Sequence, residues 1–244
     1  MNRDALQADR PRPTADLTRD SPFSYACRAC SRCCHDYYIA VNPHEVTLLA
    51  RHLGMSTTSF AASLLAGGPF LRREASGACT FLGPRGCTVH AARPLVCRLY
   101  PLGREVSGDG SERFLRMTPH PQTAGEYGRA GTVDDFLRAQ GALPLMEAAD
   151  EYSALLADLI DVMRTGRDDH RTELGDALER VRTEPLLGFS DWLDPDRVLA
   201  ATCPDVNTVD LTAEDTTRMH LEQLRIWITQ LQQENIDEHL ETDQ

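Results

Sequence analysis

The first clear secondary-structure signal in the pattern of apolar and polar residues is a helix start at residues 42–45. Asn42 can cap a helix, Pro43 suits its first position, and Glu45 can return a hydrogen bond to the cap. These residues predict a helix from Pro43 to about His52. A second helix is predicted over residues 57–66, which are followed by two glycines.

The second half of the chain is dominated by helical periodicity. Residues 145–164 carry apolar side chains every three or four positions, and residues 212–232 do so around Trp227. Both segments therefore predict amphipathic helices whose apolar stripe packs into a core. Shorter helices are predicted over residues 132–140, 174–181 and 192–201.

The middle of the chain predicts short strands. Residues 102–106 and 113–117 are expected to form a hairpin around the glycine-containing turn at 107–110. Residues 37–41 predict another short strand, whereas the glycine-rich residues 125–131 predict a flexible loop. The predicted fold class is therefore α+β, with a small cysteine-rich metal-binding core of short strands and helices followed by a mostly α-helical C-terminal half.

Composition divides the chain into three expected regions. Residues 1–22 are polar, contain three prolines and lack an apolar face, so they predict a disordered tail. Residues 23–125 contain seven of the eight cysteines and are expected to form the metal-binding domain. Residues 126–244 are expected to form a helical acidic region packed on that domain or following it.

The net charge of −12 is unevenly distributed. Residues 1–140 contain 17 arginines and 13 acidic residues, whereas residues 141–244 contain 8 arginines and 24 acidic residues. The acidic total disfavours nonspecific nucleic-acid binding. The acidic helical half is instead a candidate surface for a protein partner. All 25 basic residues are arginine, which is typical of proteins from GC-rich genomes.

The chain shows no signal for export or membrane insertion. Its N-terminal residues lack the apolar stretch of a signal peptide, and no segment approaches about 18 consecutive apolar residues. We therefore expect a cytoplasmic protein with no membrane partner. A reducing cytoplasm favours metal binding over disulfides as the role of the cysteines.

Seven cysteines lie within residues 27–97 and form two groups. The first group has the spacing C-x2-C-x2-C-C and the second has C-x7-C-x9-C. The C-x2-C spacing is typical of metal thiolate sites, because two sulfurs across a tight loop can face one ion. The candidate thiolate ligands are Cys27, Cys30, Cys33, Cys34, Cys79, Cys87 and Cys97.

Sequence blocks around these cysteines carry a family resemblance. They are the C-x2-C-x2-C-C run, Gly77 to Leu82, Cys87 to His90, and the run Arg93-Pro-Leu-Val-Cys97-Arg-Leu-Tyr-Pro101. In this order they resemble the YkgJ-type cysteine-cluster family, a zinc- or iron-chelating domain that is also found in flagellin lysine-N-methylases. The resemblance covers roughly residues 23–125 and implies a metal-binding core.

Two departures from the family pattern bear on the ligands. The family usually has Tyr where this chain has His90, and it often has a further Cys before a Pro beyond the hairpin. The comparable place here is His120-Pro121. Histidine replaces cysteine readily at zinc and iron, so His120 is a candidate eighth ligand. His35, His90 and Cys203 are weaker candidates, for which a solvated or structural role is the simpler interpretation.

The number of ligands leaves several metal sites open. Eight groups suffice for two separate four-coordinate zinc or iron sites, and seven suffice if one sulfur bridges two ions. An iron–sulfur cluster would take four cysteines and leave the others for a further ion. Four arginines next to the cysteines are expected to stabilise the thiolate charge: Arg28, Arg32, Arg93 and Arg98.

Three functions therefore follow from the sequence. The leading hypothesis is a bacterial cytoplasmic metal-binding protein with a zinc or iron–sulfur core whose metal has a structural role. The second is an enzyme related to flagellin lysine-N-methylase or an iron–sulfur oxidoreductase. The third is a metal-stabilised interaction module. No catalytic residue and no substrate can be named from these residues.

Overall fold

A computed structural model describes residues 16–35, 37–118, 120–165, 192 and 194–242. The chain divides into two compact units, each built from two stretches of sequence. The first, here called the cysteine unit, comprises Met1–Ile39 and Arg73–Pro144, and the second, the helical unit, comprises Ala40–Arg72 and Leu145–Gln244. The predicted α+β class is confirmed, with short sheets and a helical C-terminal half.

The two units are not the contiguous regions expected from the sequence. The segment between the two cysteine groups belongs to the helical unit, because its two helices pack on helices near the C-terminus. Residues 126–144, expected in the acidic helical region, belong to the cysteine unit instead. They supply a strand and a helix that pack against the segment Pro22–Ala26.

Short strands form three small antiparallel sheets in the described part of the cysteine unit. The strands are β1 (Asp16–Leu17), β2 (Pro22–Ala26), β3 (Leu82–Gly83), β4 (Gly86–Cys87), β5 (Leu102–Val106), β6 (Glu112–Arg116) and β7 (Glu126–Thr132). The strand orders in the sheets are β1-β6-β5, β2-β7 and β3-β4. The unit also contains the helices α3 (Leu95–Leu99) and α4 (Val133–Ala139).

The predicted hairpin and the predicted cap of α4 are confirmed. β5 pairs with β6 in antiparallel register, with Gly103 opposite Leu115. Thr132 caps α4 through a capping box in which Asp135 is the reciprocal partner. Both elements depend on signals within a few residues, which the sequence displays directly.

The glycine-rich segment predicted as a flexible loop is strand β7, so that prediction is wrong. It pairs with β2, and Tyr25 lies opposite Tyr127. A side chain at Gly128 would place its Cβ 2.5 Å from the Ser24 hydroxyl oxygen, which itself accepts a hydrogen bond from the Ala130 N–H at 3.2 Å. Glycine is therefore needed here for close approach of the two strands.

Residues 16–22, which were expected to belong to a disordered tail, are ordered. Leu17 pairs with Phe114, and the backbone N–H groups of Val133 and Asp134 donate to the carbonyls of Ser21 and Arg19 at 3.0 Å each. The segment is ordered because its backbone joins β6 and the first turn of α4. Residues 1–15 of the expected tail lie outside the described residues.

The helical unit contains the predicted helices. α1 (Pro43–His52) begins with the expected capping box of Asn42 and Glu45, and α2 (Thr57–Leu64) ends two residues earlier than predicted. The later helices are α5 (Leu143–Thr165), α6 (Pro195–Thr202) and α7 (Ala213–Thr242). The helix predicted at 174–181 lies outside the described residues.

The strand predicted over residues 37–41 is not formed in the described part of that segment. Ala40 makes only an isolated bridge to Phe70, and the Val41 N–H donates to the Pro69 carbonyl at 2.8 Å. The segment has a strand-like composition, but it lacks a partner that continues the pairing.

The first turns of α2 and α6 are joined by a reciprocal cap. A buried Asp194 carboxylate oxygen accepts hydrogen bonds from the hydroxyls of Thr57 and Thr58 at 2.6 and 3.0 Å and from the Arg197 N–H at 3.3 Å. The Thr57 N–H donates to a carboxylate oxygen of Asp196 at 2.7 Å. These acidic residues therefore act as helix caps.

Replacing the buried cap is expected to destabilise the helical unit. Asp194→Ala leaves three donors without their acceptor and should lower the free energy of unfolding by about 2–3 kcal/mol. Urea unfolding followed by tryptophan fluorescence would measure this. The exposed Asp205→Ala is the matched control, and a loss of equal size in both variants would contradict the assigned role.

A chain of buried polar side chains crosses the core of the helical unit. On α1, His44 Nδ1 lies 2.7 Å from the Thr217 hydroxyl oxygen of α7, and Thr217 is hydrogen-bonded to Tyr152 of α5. The Tyr152 hydroxyl lies 2.9 Å from His220 Nδ1, while the buried His220 Nε2 has no hydrogen-bond partner among the described residues. Burial lowers the pKa of His44, and it lowers that of His220 to about 3.

The described helices include none with the length and apolar character required to span a membrane.

Candidate metal centre

The first cysteine loop directs backbone N–H groups at its own sulfurs. Ala29 and Ser31 adopt left-handed conformations, with φ of 52° and 58°. These turns allow the Ala29 N–H to donate to the Cys27 sulfur at 3.4 Å, and the Arg32 N–H donates to the Cys30 sulfur. Each sulfur thus accepts a hydrogen bond from the residue two positions later, which stabilises thiolate charge.

The second cysteine group repeats this local arrangement. The Phe81 N–H donates to the Cys79 sulfur, again two residues along. The Cys79 N–H donates to the Cys34 carbonyl at 2.8 Å, and this bond joins the two cysteine groups. β3 and β4 then form a two-residue hairpin in which Cys87 lies opposite Leu82.

The remaining thiol of the second group lies on α3. The Cys97 N–H donates to the Pro94 carbonyl at 3.0 Å, so the residue sits in the first turn of this short helix. The pKa of Cys34 is raised mainly by the Cys33 hydrogen bond and by burial, and charge on Cys87 and Cys97 adds to this. The hairpin and α3 therefore bring these thiols within electrostatic reach of the first loop.

The side chains of the vicinal pair Cys33–Cys34 are joined by a hydrogen bond. The hydrogen bond from Cys34 is the main reason that the pKa of Cys33 falls to about 7, while burial opposes this and the Arg93 charge assists it. The same hydrogen bond, followed by burial, raises the pKa of Cys34.

Neighbouring thiols also act on Cys79, whose pKa is raised. Burial is the largest cause, and charge on Cys87 and Cys33 adds to it, whereas the Arg73 charge and the Phe81 N–H oppose it. Five thiols thus interact with one another across the loop, the hairpin and α3. They are Cys33, Cys34, Cys79, Cys87 and Cys97.

All eight cysteines of the chain are present as thiols, and of the seven clustered ones only Cys27 is exposed. As placed, however, no three His, Cys, Asp or Glu side chains of the described residues come together closely enough to hold a metal ion. The backbone nevertheless brings residues of the right chemical type into one region, since soft thiolates are suited to zinc or iron. Coordination requires the side chains to converge further.

His120 lies on the loop that follows the β5–β6 hairpin. The next residues of this loop reach the first cysteine group, since the Ala124 N–H donates to the Cys30 sulfur at 3.4 Å. The imidazole Nδ1 accepts a hydrogen bond from the Gln122 N–H at 3.0 Å. A neutral ring that accepts at Nδ1 carries its proton on Nε2, so metal ligation by His120 requires this hydrogen bond to be released.

The weaker candidates have structural environments of their own. His90 is exposed, and its ring nitrogens lie 3.1 and 3.2 Å from Arg93 Nη1. His35 forms an isolated bridge to Ala78. Cys203 follows α6 in the helical unit, with its sulfur 3.7 Å from the Thr202 hydroxyl. None of these contacts joins a candidate ligand to the clustered thiols.

The arginines expected beside the thiols have different roles. The Arg93 charge lowers the pKa of Cys33, after the larger effect of the Cys34 hydrogen bond. Arg98 instead donates to the backbone carbonyls of Arg93, Gln140 and Ala91 at 2.8–3.0 Å. Arg28 pairs with an exposed Glu126 carboxylate at 3.5 Å.

Several residues close to the thiols were not predicted from the sequence. The ring of Tyr25 packs edge-on against Tyr100 and Tyr127, with centroids 6.0 and 5.3 Å away. Burial raises the pKa of Tyr25, and charge on the nearby Cys27 and Cys30 adds to this. Tyr100 lies in the block that carries the family resemblance, whereas Tyr25 has no sequence signal of its own.

Comparison with known families supports the metal-binding interpretation. Residues 26–118 match the model of the CxxCxxCC family, which is described as a "putative zinc- or iron-chelating domain". The match contains all seven clustered cysteines and ends before His120. A search of curated proteins and a search of solved structures each found no match.

Proposed function

We propose that the protein binds zinc or iron through its clustered cysteines and that the metal stabilises the fold of the cysteine unit. The observation that carries this proposal is the gathering of seven thiols within the segment that matches a chelating domain, where the Cys79 N–H donates to the Cys34 carbonyl and joins the two cysteine groups. Several thiolates gathered without a cation would repel one another. A bound divalent metal offsets their charge.

The proposed ligands are the seven clustered cysteines, with His120 as an eighth. The N–H groups that already point at the sulfurs of Cys27, Cys30 and Cys79 support thiolate ligation, because they partly neutralise charge on the bound sulfur. Eight ligands suit two four-coordinate ions. An iron–sulfur cluster held by four of the cysteines, with or without another ion, remains the alternative arrangement.

A bound metal would supply a cross-link between segments that are far apart in sequence. The first cysteine loop and α3 are separated by the whole of residues 40–72, which belong to the helical unit. The cysteine unit is built from short strands and short helices, and structural metal commonly supplies folding free energy in such small units. A cytoplasmic location is part of this proposal, since it keeps the thiols reduced.

Metal content after anaerobic purification tests the proposal directly. We expect about two equivalents of zinc or iron per chain, or one iron–sulfur cluster with its visible absorption. Elemental analysis and an absorption spectrum would measure this, with thiol titration before and after chelation as a second readout. A metal-free protein that remains fully folded, with its cysteines oxidised to disulfides, would overturn the proposal.

A further inference from the structure

A threonine hydroxyl connects the half-buried Tyr25 to one of the proposed ligand sulfurs. The Thr123 hydroxyl oxygen lies 3.2 Å from the Tyr25 hydroxyl and 3.7 Å from the Cys30 sulfur. It also accepts a hydrogen bond from the Gly125 N–H at 3.2 Å. Three polar groups from β2, the first cysteine loop and the loop after β6 therefore meet at one oxygen.

The number of hydrogen bonds that the Thr123 hydroxyl can donate and accept determines the direction of the hydrogen bonds from Tyr25 to Cys30. A hydroxyl oxygen has one proton to donate and two lone pairs that accept. The Gly125 N–H can only donate, so it occupies one lone pair. When Cys30 is a thiolate, the Tyr25 hydroxyl fills the second lone pair and the Thr123 proton points at the sulfur. Every donor and acceptor of these half-buried groups is then satisfied.

The fold holds this arrangement in place. A side chain at Gly125 would overlap the Tyr25 hydroxyl, so glycine leaves room for the tyrosine to reach Thr123. The Thr123 N–H donates to the His120 carbonyl at 2.8 Å, and the Ala124 N–H donates to the Cys30 sulfur at 3.4 Å. The loop is thus folded onto the sulfur by its backbone as well as by its hydroxyl.

We propose that Tyr25 and Thr123 form a hydrogen-bonded pair that positions the Cys30 sulfur for metal binding. This inference rests on the proposed function. Both are positioning residues, acting on a ligand and not as ligands themselves. Partners that orient metal ligands commonly contribute about 10- to 100-fold to metal affinity.

Two conservative substitutions test the pair. Tyr25→Phe keeps the ring and removes the hydroxyl, and Thr123→Val keeps the shape and removes the proton aimed at the sulfur. With Co(II) as the probe metal, we expect each variant to weaken binding about tenfold and to shift the sulfur-to-cobalt charge-transfer band. Competition with a chelator gives the affinity, and the absorption spectrum gives the band.

Two matched variants serve as controls. Thr123→Ser retains the hydroxyl and should behave like the original protein. Tyr127→Phe removes a hydroxyl from the same aromatic cluster, where it donates to the Met117 carbonyl at 2.6 Å and does not reach a sulfur. It should leave the charge-transfer band unchanged. If Thr123→Val does not fold, Tyr25→Phe alone carries the test.

The outcomes separate this inference from the proposed function. Unchanged affinity and spectrum in Tyr25→Phe would overturn the positioning role while leaving metal binding intact. An equal effect of Tyr127→Phe would overturn it too, because ring packing would then be the cause. An original protein that binds neither Co(II) nor a native metal would instead overturn the proposed function.

Discussion

Cys97→Ser is expected to remove about one equivalent of bound metal and to destabilise the cysteine unit by about 4 kcal/mol or more. Serine is a poor ligand for zinc or iron, and the remaining thiols cannot replace a donor that α3 presents. The α3 segment is also held by its buried Leu95 and Leu99 and by the Arg98 hydrogen bonds, so we expect the loss of metal to loosen the segment without unfolding it completely.

Hydrogen exchange over residues 73–118, combined with elemental analysis, would measure both effects. Cys203→Ser is the matched control, since Cys203 follows α6 in the helical unit. It should retain its metal and its exchange protection. Equal metal loss in both variants would contradict the assignment of Cys97 and indicate that Cys203 is a remote ligand.

Acid is expected to destabilise the helical unit through its buried histidines. Burial lowers the pKa of His220 to about 3. The histidine therefore stays neutral in the folded protein at pH values at which the unfolded chain, with an ordinary histidine pKa of about 6.5, is protonated. Its stabilising contribution is therefore complete above pH 6.5 and is lost as the pH falls towards 3. As the pH falls from 7.5 to 5, protonation of this one residue in the unfolded chain should lower the free energy of unfolding by about 2 kcal/mol.

Burial lowers the pKa of His44 in the same direction, with the Glu214 charge opposing it. Both tryptophans, Trp192 and Trp227, belong to the helical unit, so urea unfolding followed by fluorescence reports on that unit. His220→Leu should show a weaker dependence on pH by about 2 kcal/mol over this interval.

Removal of an exposed histidine provides the comparison for this experiment. His52 lies at the exposed end of α1, so His52→Gln should keep the pH dependence of the original protein. If His220→Leu also keeps it, burial of His220 does not control the response to acid. The four-residue hydrogen-bonded chain would then have to be explained by packing alone.

Local signals explain which elements could be predicted from the sequence. The caps at Asn42 and Thr132 lie within three residues of their partners, and both helices begin where expected. The β2–β7 pairing joins residues about a hundred positions apart, as in Tyr25 with Tyr127. No local sequence pattern indicates such a pair, and the glycines needed for close approach of the strands give the segment the composition of a loop.

In the candidate site, too, only the features that depend on local spacing could be predicted from the sequence. The cysteines are visible in the sequence because C-x2-C spacing has a direct geometric meaning. The Tyr25–Thr123 contact is not, because these residues are separated by 98 positions and neither belongs to a recognisable motif. The assignment of residues 40–72 to the helical unit was hidden for a similar reason: their helices pack on partners beyond residue 194.

The interleaving of the two units has a consequence for synthesis on the ribosome. Every residue of the cysteine unit has been synthesised once residue 144 is added. In contrast, α1 and α2 cannot complete their packing until α6 and α7 have been synthesised. Until then, the buried face that includes Val46, Leu49 and Phe60 lacks its final cover. Segments that wait in this way are exposed to aggregation and to chaperones. The thiol cluster can therefore assemble early, while the apolar segment between its two halves completes its packing last.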